Sequence, residues 1–180
     1  MDLLPFDAIN RLENELPIYF EDGKIRSKVD LDDIIEEMFE LFLLSYNRGV
    51  EAVNPDYQPT LRNKIETIDE KIDGKTWRER MREHFDNGGT IADVTRIIET
   101  EAHRDANTAA YEAAKAAGCT TKTWHAVMDD RTRDSHRYLN GVTIPIDAEF
   151  YSAFGGSTMF PGQWGIPEED IGCRCWLTYK

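Results

Sequence analysis

The residues best suited to chemistry are gathered toward the C-terminus. They are Trp124, then Asp130-Arg131-Thr132-Arg133-Asp134-Ser135-His136, then the Asn140-Gly141 step, and near the end Cys173-Arg174-Cys175. On a short helix starting near Thr132, the side chains of Arg133, His136 and Asn140 fall at i, i+3 and i+7 and project from one side. A last strand packed beside that helix would bring the two thiols to the imidazole. Two thiolates and an imidazole are soft or borderline ligands suited to zinc, with Asp130, or Asp134, as a fourth. A plainer account uses the same residues: His136 bonded to a backbone carbonyl, Asp130 capping the helix, and Cys173 and Cys175 filling a core.

An enzymatic reading is also available. His136 could serve as a general base and Cys173 or Cys175 as the nucleophile, because a nearby imidazole favours the thiolate. No orienting partner or oxyanion device stands at diagnostic spacing. Arg131, Arg133, Arg137 and Arg174 could clamp a phosphate or carboxylate, although Asp129, Asp130 and Asp134 are close enough in sequence to pair with them. Glu99 and Glu101 would join such a pocket in a nucleotide-handling transferase or nuclease; carboxylates facing solvent from a helix are the simpler account of both.

Composition limits the classes. The 180 residues can bury a substantial core, and 41% apolar content with dispersed aromatics excludes a disordered chain. The formal net charge is −13, and residues 1–60 carry 14 acidic against 5 basic side chains, so −9 of it lies there. Such a surface repels phosphate backbones and anionic membranes at long range, which disfavours general DNA binding and points to protein partners. No stretch approaches the ~18 apolar residues of a membrane span, and the N-terminus lacks the basic start and apolar run of a signal peptide. Cys119, Cys173 and Cys175 form an odd set. A disulfide across a single intervening residue would be strained, so free thiols or metal ligands are expected.

The elements that must position these residues read as helices first. Leu3, Leu4, Phe6, Ile9, Leu12 and Leu16 recur at near-helical spacing until Pro17 interrupts. Asp30 can cap a second helix, with Gly49 as its stop, whose apolar residues cover more than one face. That width suggests contacts on two sides and marks Met38, Phe39, Phe42 and Leu43 as residues able to meet a partner, with an ordinary core as the other account. Pro55 and Pro59 bracket a linker, which divides the chain into residues 1–54 and 60–180. Further helices are expected over Leu61–Ile72, over Trp77–Phe85, and from a Thr90/Asp93 capping box to Gly118. Beyond Gly118 the pattern turns to strands at 122–127, 142–146 and 173–179, a short helix at 131–139, and a long loop at 147–172. The class is α+β: helices to residue 118, then a mixed module over 119–180.

In this order, Lys122-Thr123-Trp124, Asp130 to His136, Asn140-Gly141, Phe160-Pro161-Gly162 and Cys173-Arg174-Cys175 resemble the C-terminal module of Mu F-like phage minor head proteins. The preceding helix, with Arg96-Ile97-Ile98-Glu99-Thr100-Glu101, Asn107 and Gly118, is similar to the helix of that family, so the likeness spans residues 90–180. Trp124, Asp130, Thr132, Arg133, His136, Gly141 and Arg174 carry its structural motif. The resemblance implies a helical N-terminal part followed by a small β-containing Mu F-like module. It also implies a structural protein of head morphogenesis and not an enzyme, present in the host cytoplasm during assembly and in the virion head. The partners implied are the portal protein and the major capsid or scaffold proteins. Some members carry a Cys-x-x-Cys pair where this chain has Thr132 to His136, and a His where it has Asp170-Ile171-Gly172, so potential ligands are missing. Members also occur fused to toxin domains; with the sequence ending at Lys180, no such effector is expected.

Overall fold

The computed structural model describes residues 3–72 and 74–180. Helix α1 (Phe6–Glu15) buries Ile9 and Leu12 and passes into a 3-10 turn, Leu16–Tyr19, where Pro17 sits in the first turn. A small hairpin follows, β1 (Phe20–Glu21) against β2 (Lys24–Ile25). Its turn residues Asp22 and Gly23 both have positive φ, 50° and 76°. Asp-Gly is the dipeptide that tolerates this tight turn, because Gly has no Cβ and Asp bonds locally.

Helix α2 spans Lys28–Val53 and is capped by Ser27, whose hydroxyl accepts from Asp30 N–H at 3.1 Å. Asp30 is therefore the third helical residue and not the expected cap. Gly49 does not stop this helix either. It lies inside it, where α2 crosses α5 so closely that a Cβ would meet the Ala106 carbonyl oxygen at 2.1 Å. Helix α3 (Leu61–Ile68) starts at Thr60 and ends earlier than the apolar spacing suggested, with Ile72 in a bridge to Lys75. Helix α4 (Trp77–Asp86) opens on a Thr76/Glu79 capping box, and α5 (Ile91–Ala116) on the expected Thr90/Asp93 box.

Two cores flank α5. The first joins α1 to α5 through Leu16, Ile34, Met38, Phe42, Ile68, Trp77, Met81, Val94 and Ile98. The helical segment over residues 3–54 is thus packed into the same core as the helices that follow it. Met38 and Phe42 are fully buried there, and Phe39 and Leu43 lie partly buried against it. Met38 and Phe42 are thus taken up by the core and not free to meet a partner, while Phe39 and Leu43 stay partly exposed.

The second core lies beneath a three-stranded antiparallel sheet of order β4-β3-β7. Strand β3 (Thr121–His125) is central, flanked by β4 (Thr143–Pro145) and β7 (Trp176–Tyr179), with Trp124 opposite Leu177 and Lys122 opposite Ile144. Helix α6 (Asp134–Leu139) lies between β3 and β4 in the chain. The segment expected as one long loop holds a hairpin, β5 (Phe150–Tyr151) with β6 (Ser157–Thr158), and a short helix α7 (Pro167–Asp170). Trp124, Phe150, Phe160, Trp164, Cys173, Cys175 and Leu177 close this core. The α+β class is as expected. Among the described residues no helix is long and apolar enough to cross a membrane.

Candidate functional site

The arginine-histidine helix and the thiol segment do meet. Helix α6 turns His136 inward until it is almost fully buried, and the Cys-Arg-Cys segment reaches it from the run leading into β7. His136 Nδ1 lies 3.6 Å from Cys173 Sγ and 3.4 Å from Cys175 Sγ. The imidazole stands edge-on to Trp124 at 5.8 Å and stacks on Trp164 at 6.1 Å, so aromatic walls set its plane.

Behind the ring is a residue that the sequence reading passed over. Glu169, almost fully buried, places Oε2 at 3.0 Å from His136 Nε2, although the N–H does not point along that line. Its carboxylate also accepts from Ser135 at 2.9 Å and from Ser152. A buried carboxylate needs such donors, because its desolvation is otherwise uncompensated. The signal available in sequence was the Pro167-Glu168-Glu169-Asp170 helix start just before the thiols. Which of the three acids turns inward depends on packing.

The thiols are held by backbone contacts. Asp170 accepts from the N–H groups of Trp164 at 3.0 Å and Gly165 at 2.9 Å, and its carbonyl accepts from Cys173 N–H at 3.1 Å. The Cys175 carbonyl lies 2.7 Å from His103 Nε2 on α5. Asn107 donates to the His103 carbonyl at 3.0 Å, and Gly162 of the Phe160-Pro161-Gly162 turn lies over His103 and Arg104, where a Cβ would stand 3.2 Å from Arg104 Cα. The motif residues on α5 and in this turn are therefore docking contacts.

Electrostatics distinguish the groups. Hydrogen bonding between the thiols pushes Cys173 up, with burial adding to it, and moves Cys175 down. Burial opposes the imidazolium of His136, but Cys173 and Glu169 outweigh it and the net direction is up. Burial holds His103 down to about 4.

The remaining motif residues divide clearly. Asp130 is exposed and is not among the groups whose ligand atoms converge; only His136, Cys173 and Cys175 do so among the described residues. The fourth-ligand reading of Asp130 is corrected. Its neighbour Asp129 turns to the chain instead and receives both guanidinium nitrogens of Arg174 at 2.6 and 2.7 Å. Thr132 donates to the Val127 carbonyl and Arg133 to the Ile171 carbonyl. Arg137 donates to the Thr132 carbonyl at 2.9 Å. The proposed arginine clamp is thus largely occupied by the protein itself. Gly141, at φ 82°, donates to the Trp124 carbonyl at 2.8 Å and turns the chain from α6 into β4.

Glu101 is buried, contrary to expectation, and pairs with Arg80 at 2.6 Å and Arg104 at 2.9 Å, while Arg104 also reaches the fully buried Asp105. Glu99 is exposed. A thiol, an imidazole and a carboxylate in line resemble the parts of a nucleophilic site. The cleft where all three side chains meet is narrow: it holds about 10 Å³ and is walled by Val127, Thr132, Arg133 and Gly172, while an apolar cleft of about 190 Å³ between Leu3, Phe6, His103 and Trp176 touches Cys175 but borders neither Cys173 nor His136.

Comparisons with known proteins agree with this module. The chain is 36% identical over 94 residues to the minor head protein GP7 of Bacillus phage SPP1, covering 50% of this chain and 30% of that one. It is 33% identical over 109 residues to the NAD(+)–arginine ADP-ribosyltransferase EFV of Enterococcus faecalis, covering 58% of this chain and 22% of that one. The chain thus spans less than a third of the length of the curated relatives it matches. No solved structure matches it significantly. The model of the family described as Phage Mu protein F like protein matches residues 62–178, from α3 through the thiol segment to β7, and the chain belongs to that family.

Proposed function

We propose that this chain is a phage minor head protein, a structural component of head morphogenesis that docks on the portal and procapsid. The family match over residues 62–178 carries the reading. It is supported by the identity to a protein named as a minor head protein and by a motif whose residues hold the module together around a closed core. In this reading the module over 60–180 is a rigid unit, and the acidic helices at the N-terminus face the partner. With Met38 and Phe42 in the core, the docking face is the exposed side of α2, where Asp33 and Glu40 stand in solvent beside Asp32, paired with Arg82 at 3.0 Å, and Glu36, 3.7 Å from Arg78. Such a face attracts a basic surface on the portal or on a capsid or scaffold subunit, and steers the encounter. The protein acts in the host cytoplasm during assembly and remains in the virion head.

A second reading follows from the relative named as an ADP-ribosyltransferase and from the Cys-His-Glu alignment. It makes the chain a phage-borne nucleotide-handling enzyme. The cleft shared by the thiol, the imidazole and the second thiol has room for little more than a water, which weighs against it.

The test is coexpression with the portal protein of the same phage. Capture of the chain on tagged portal is expected, with loss of capture on reversing charge at Asp33 and Glu40 together, exposed positions that leave the Asp32–Arg82 and Glu36–Arg78 pairs in place. Absence of binding to portal, capsid and scaffold proteins, with His136-dependent cleavage of RNA, DNA or a dinucleotide, would overturn the assembly reading in favour of the second.

A further inference from the structure

The three donor atoms at the buried end of α6 share a geometry as well as a type. A tetrahedral zinc ion, with Zn–S near 2.3 Å and Zn–N near 2.0 Å, separates an imidazole nitrogen from a thiolate sulfur by about 3.6 Å. The two Nδ1 to Sγ distances here are 3.6 and 3.4 Å, and the three ligand atoms lie within 4.8 Å of one another. We propose that His136 Nδ1, Cys173 Sγ and Cys175 Sγ bind one zinc ion, with a water on its fourth position and Glu169 orienting the imidazole from the opposite side.

Four observations support this assignment independently of the thiol spacing. Glu169 lies 3.0 Å from Nε2, the nitrogen that a ligating histidine turns toward a carboxylate, which leaves Nδ1 for the metal. Glu169 is itself clamped by Ser135 and Ser152 in a buried position, so the orienting carboxylate has support of its own. The cleft on the outer side of the thiols, about 10 Å³, has space for one water, and Thr132 and Arg133 line it. The backbone carrying the thiols is fixed from both sides: Cys173 N–H on the Asp170 carbonyl, and the Cys175 carbonyl on His103.

The charge balance also suits a divalent ion. On binding, each thiol passes its proton to solvent and forms one sulfur–zinc bond, so two thiolates neutralise the ion while the imidazole binds as the neutral base. No electron is transferred. Two thiolates with one imidazole favour zinc over magnesium or calcium, which take oxygen ligands. The ion joins α6 to the approach to β7, segments brought together only by folding, so its binding energy adds to the stability of the module. Asp130 has no part in it. Because the assignment concerns the module alone, it stands or falls apart from portal docking.

The experiment uses the full chain, expressed without a histidine tag in zinc-supplemented medium and purified under reducing conditions. Metal content by plasma mass spectrometry is expected to be about one zinc per chain, unchanged in Cys119→Ser and below a tenth of that in Cys173→Ser and in His136→Ala. Those two variants could fail to fold, so cobalt reconstitution of the unaltered chain provides a second readout. A thiolate-to-cobalt charge-transfer band with visible bands of tetrahedral intensity is expected. Glu169→Gln should keep those bands while weakening zinc affinity about 10- to 100-fold in a chelator competition. Folded, unaltered chain that holds no zinc and gives no cobalt bands would overturn the assignment. So would full zinc content in a Cys173→Ser/Cys175→Ser double variant, or an intact mass showing a Cys173–Cys175 disulfide in the reduced preparation.

Discussion

Gly49 of α2 and Ala106 of α5 meet so closely that the space a Cβ on Gly49 would need is already taken by the Ala106 carbonyl oxygen, 2.1 Å away, with Ala109 Cβ at 3.0 Å. The two longest helices pack along this line, with Ala102, Ala109 and Ala113 also buried on α5. Small residues let the backbones approach, and the packing around them is then dense enough to resist any added atom.

Gly49→Ala should therefore destabilise the chain, although alanine is the better helix former by about 1 kcal/mol. The obstacle is backbone and cannot rotate away, so the overpacking cost of about 1–3 kcal/mol should exceed the propensity gain. A lower urea midpoint checks this. A midpoint equal to or above that of the unaltered chain would show that the two helices can separate at little cost.

Glu169→Ala should lower stability by about 1–3 kcal/mol, because it strands the Ser135 hydroxyl in a site closed to water and takes away the acceptor of Ser152. Glu169→Gln keeps an acceptor for Ser135 and should lose less. Thermal unfolding of the pair discriminates. Equal losses would mean that volume, and not hydrogen bonding, is what the site needs.

Acid should act through His103, which burial holds at about 4 against the ordinary 6.5. In the folded state the proton is taken up less readily than in the unfolded chain. Its contribution is therefore fully present above pH 6.5 and is lost as pH falls toward 4. Relative to His103→Gln, whose amide can still reach the Cys175 carbonyl, the unaltered chain should lose on the order of 3 kcal/mol across that window. His136, shifted upward, contributes in the opposite direction, so the comparison has to be made against the His103 variant and not read from the total. Parallel urea midpoints for the two proteins from pH 7 to 4 would contradict it.

Lys122 offers the alkaline counterpart. Its side chain is fully buried, its ammonium donates to the Met159 carbonyl at 2.7 Å, and it lies 5.0 Å from the Tyr111 ring and 5.5 Å from that of Phe150. Burial lowers it to about 8. Between pH 8 and 10.5 the unfolded chain holds the proton that the folded one has released, so this residue makes stability rise with pH across that window. The difference between the unaltered chain and Lys122→Met should therefore shift in favour of the unaltered chain as pH is raised. A difference independent of pH would place the ammonium in effective contact with water.

Much of the chain follows from local rules. The Thr90/Asp93 box and the apolar spacing after it mark the start of α5. The Asn140-Gly141 step marks the turn into β4, and the ordered motif from Trp124 to Cys175 marks the module. Each depends on neighbouring residues alone, or on a pattern that survives without knowledge of the fold. The Asp22-Gly23 hairpin was equally legible, and was missed because two-residue strands carry almost no alternation to notice. Ser27 was overlooked as a cap because Asp30, equally suited by type, stands beside the apolar run.

Other assignments were not available from spacing. Asp129 and Asp130 are adjacent and identical in type, yet one receives the Arg174 fork and the other faces solvent. Gly49 has the residue type of a helix stop and serves as a crossing point, and Glu169, not Glu168, turns under the imidazole. Composition, helical period and motif order determined the α+β class and the family, since these depend on what each residue is and on the order in which residues come. The meeting of His136 with Cys173 and Cys175 was expected only on condition that the last strand packs beside the helix, which the fold supplies. Which side of α2 stays in solvent, which carboxylate orients the imidazole, and how closely α2 and α5 approach were decided only in the tertiary structure. Burial, charge pairing and steric contact are set by segments far apart in the chain, and no local pattern records where those segments will come to rest.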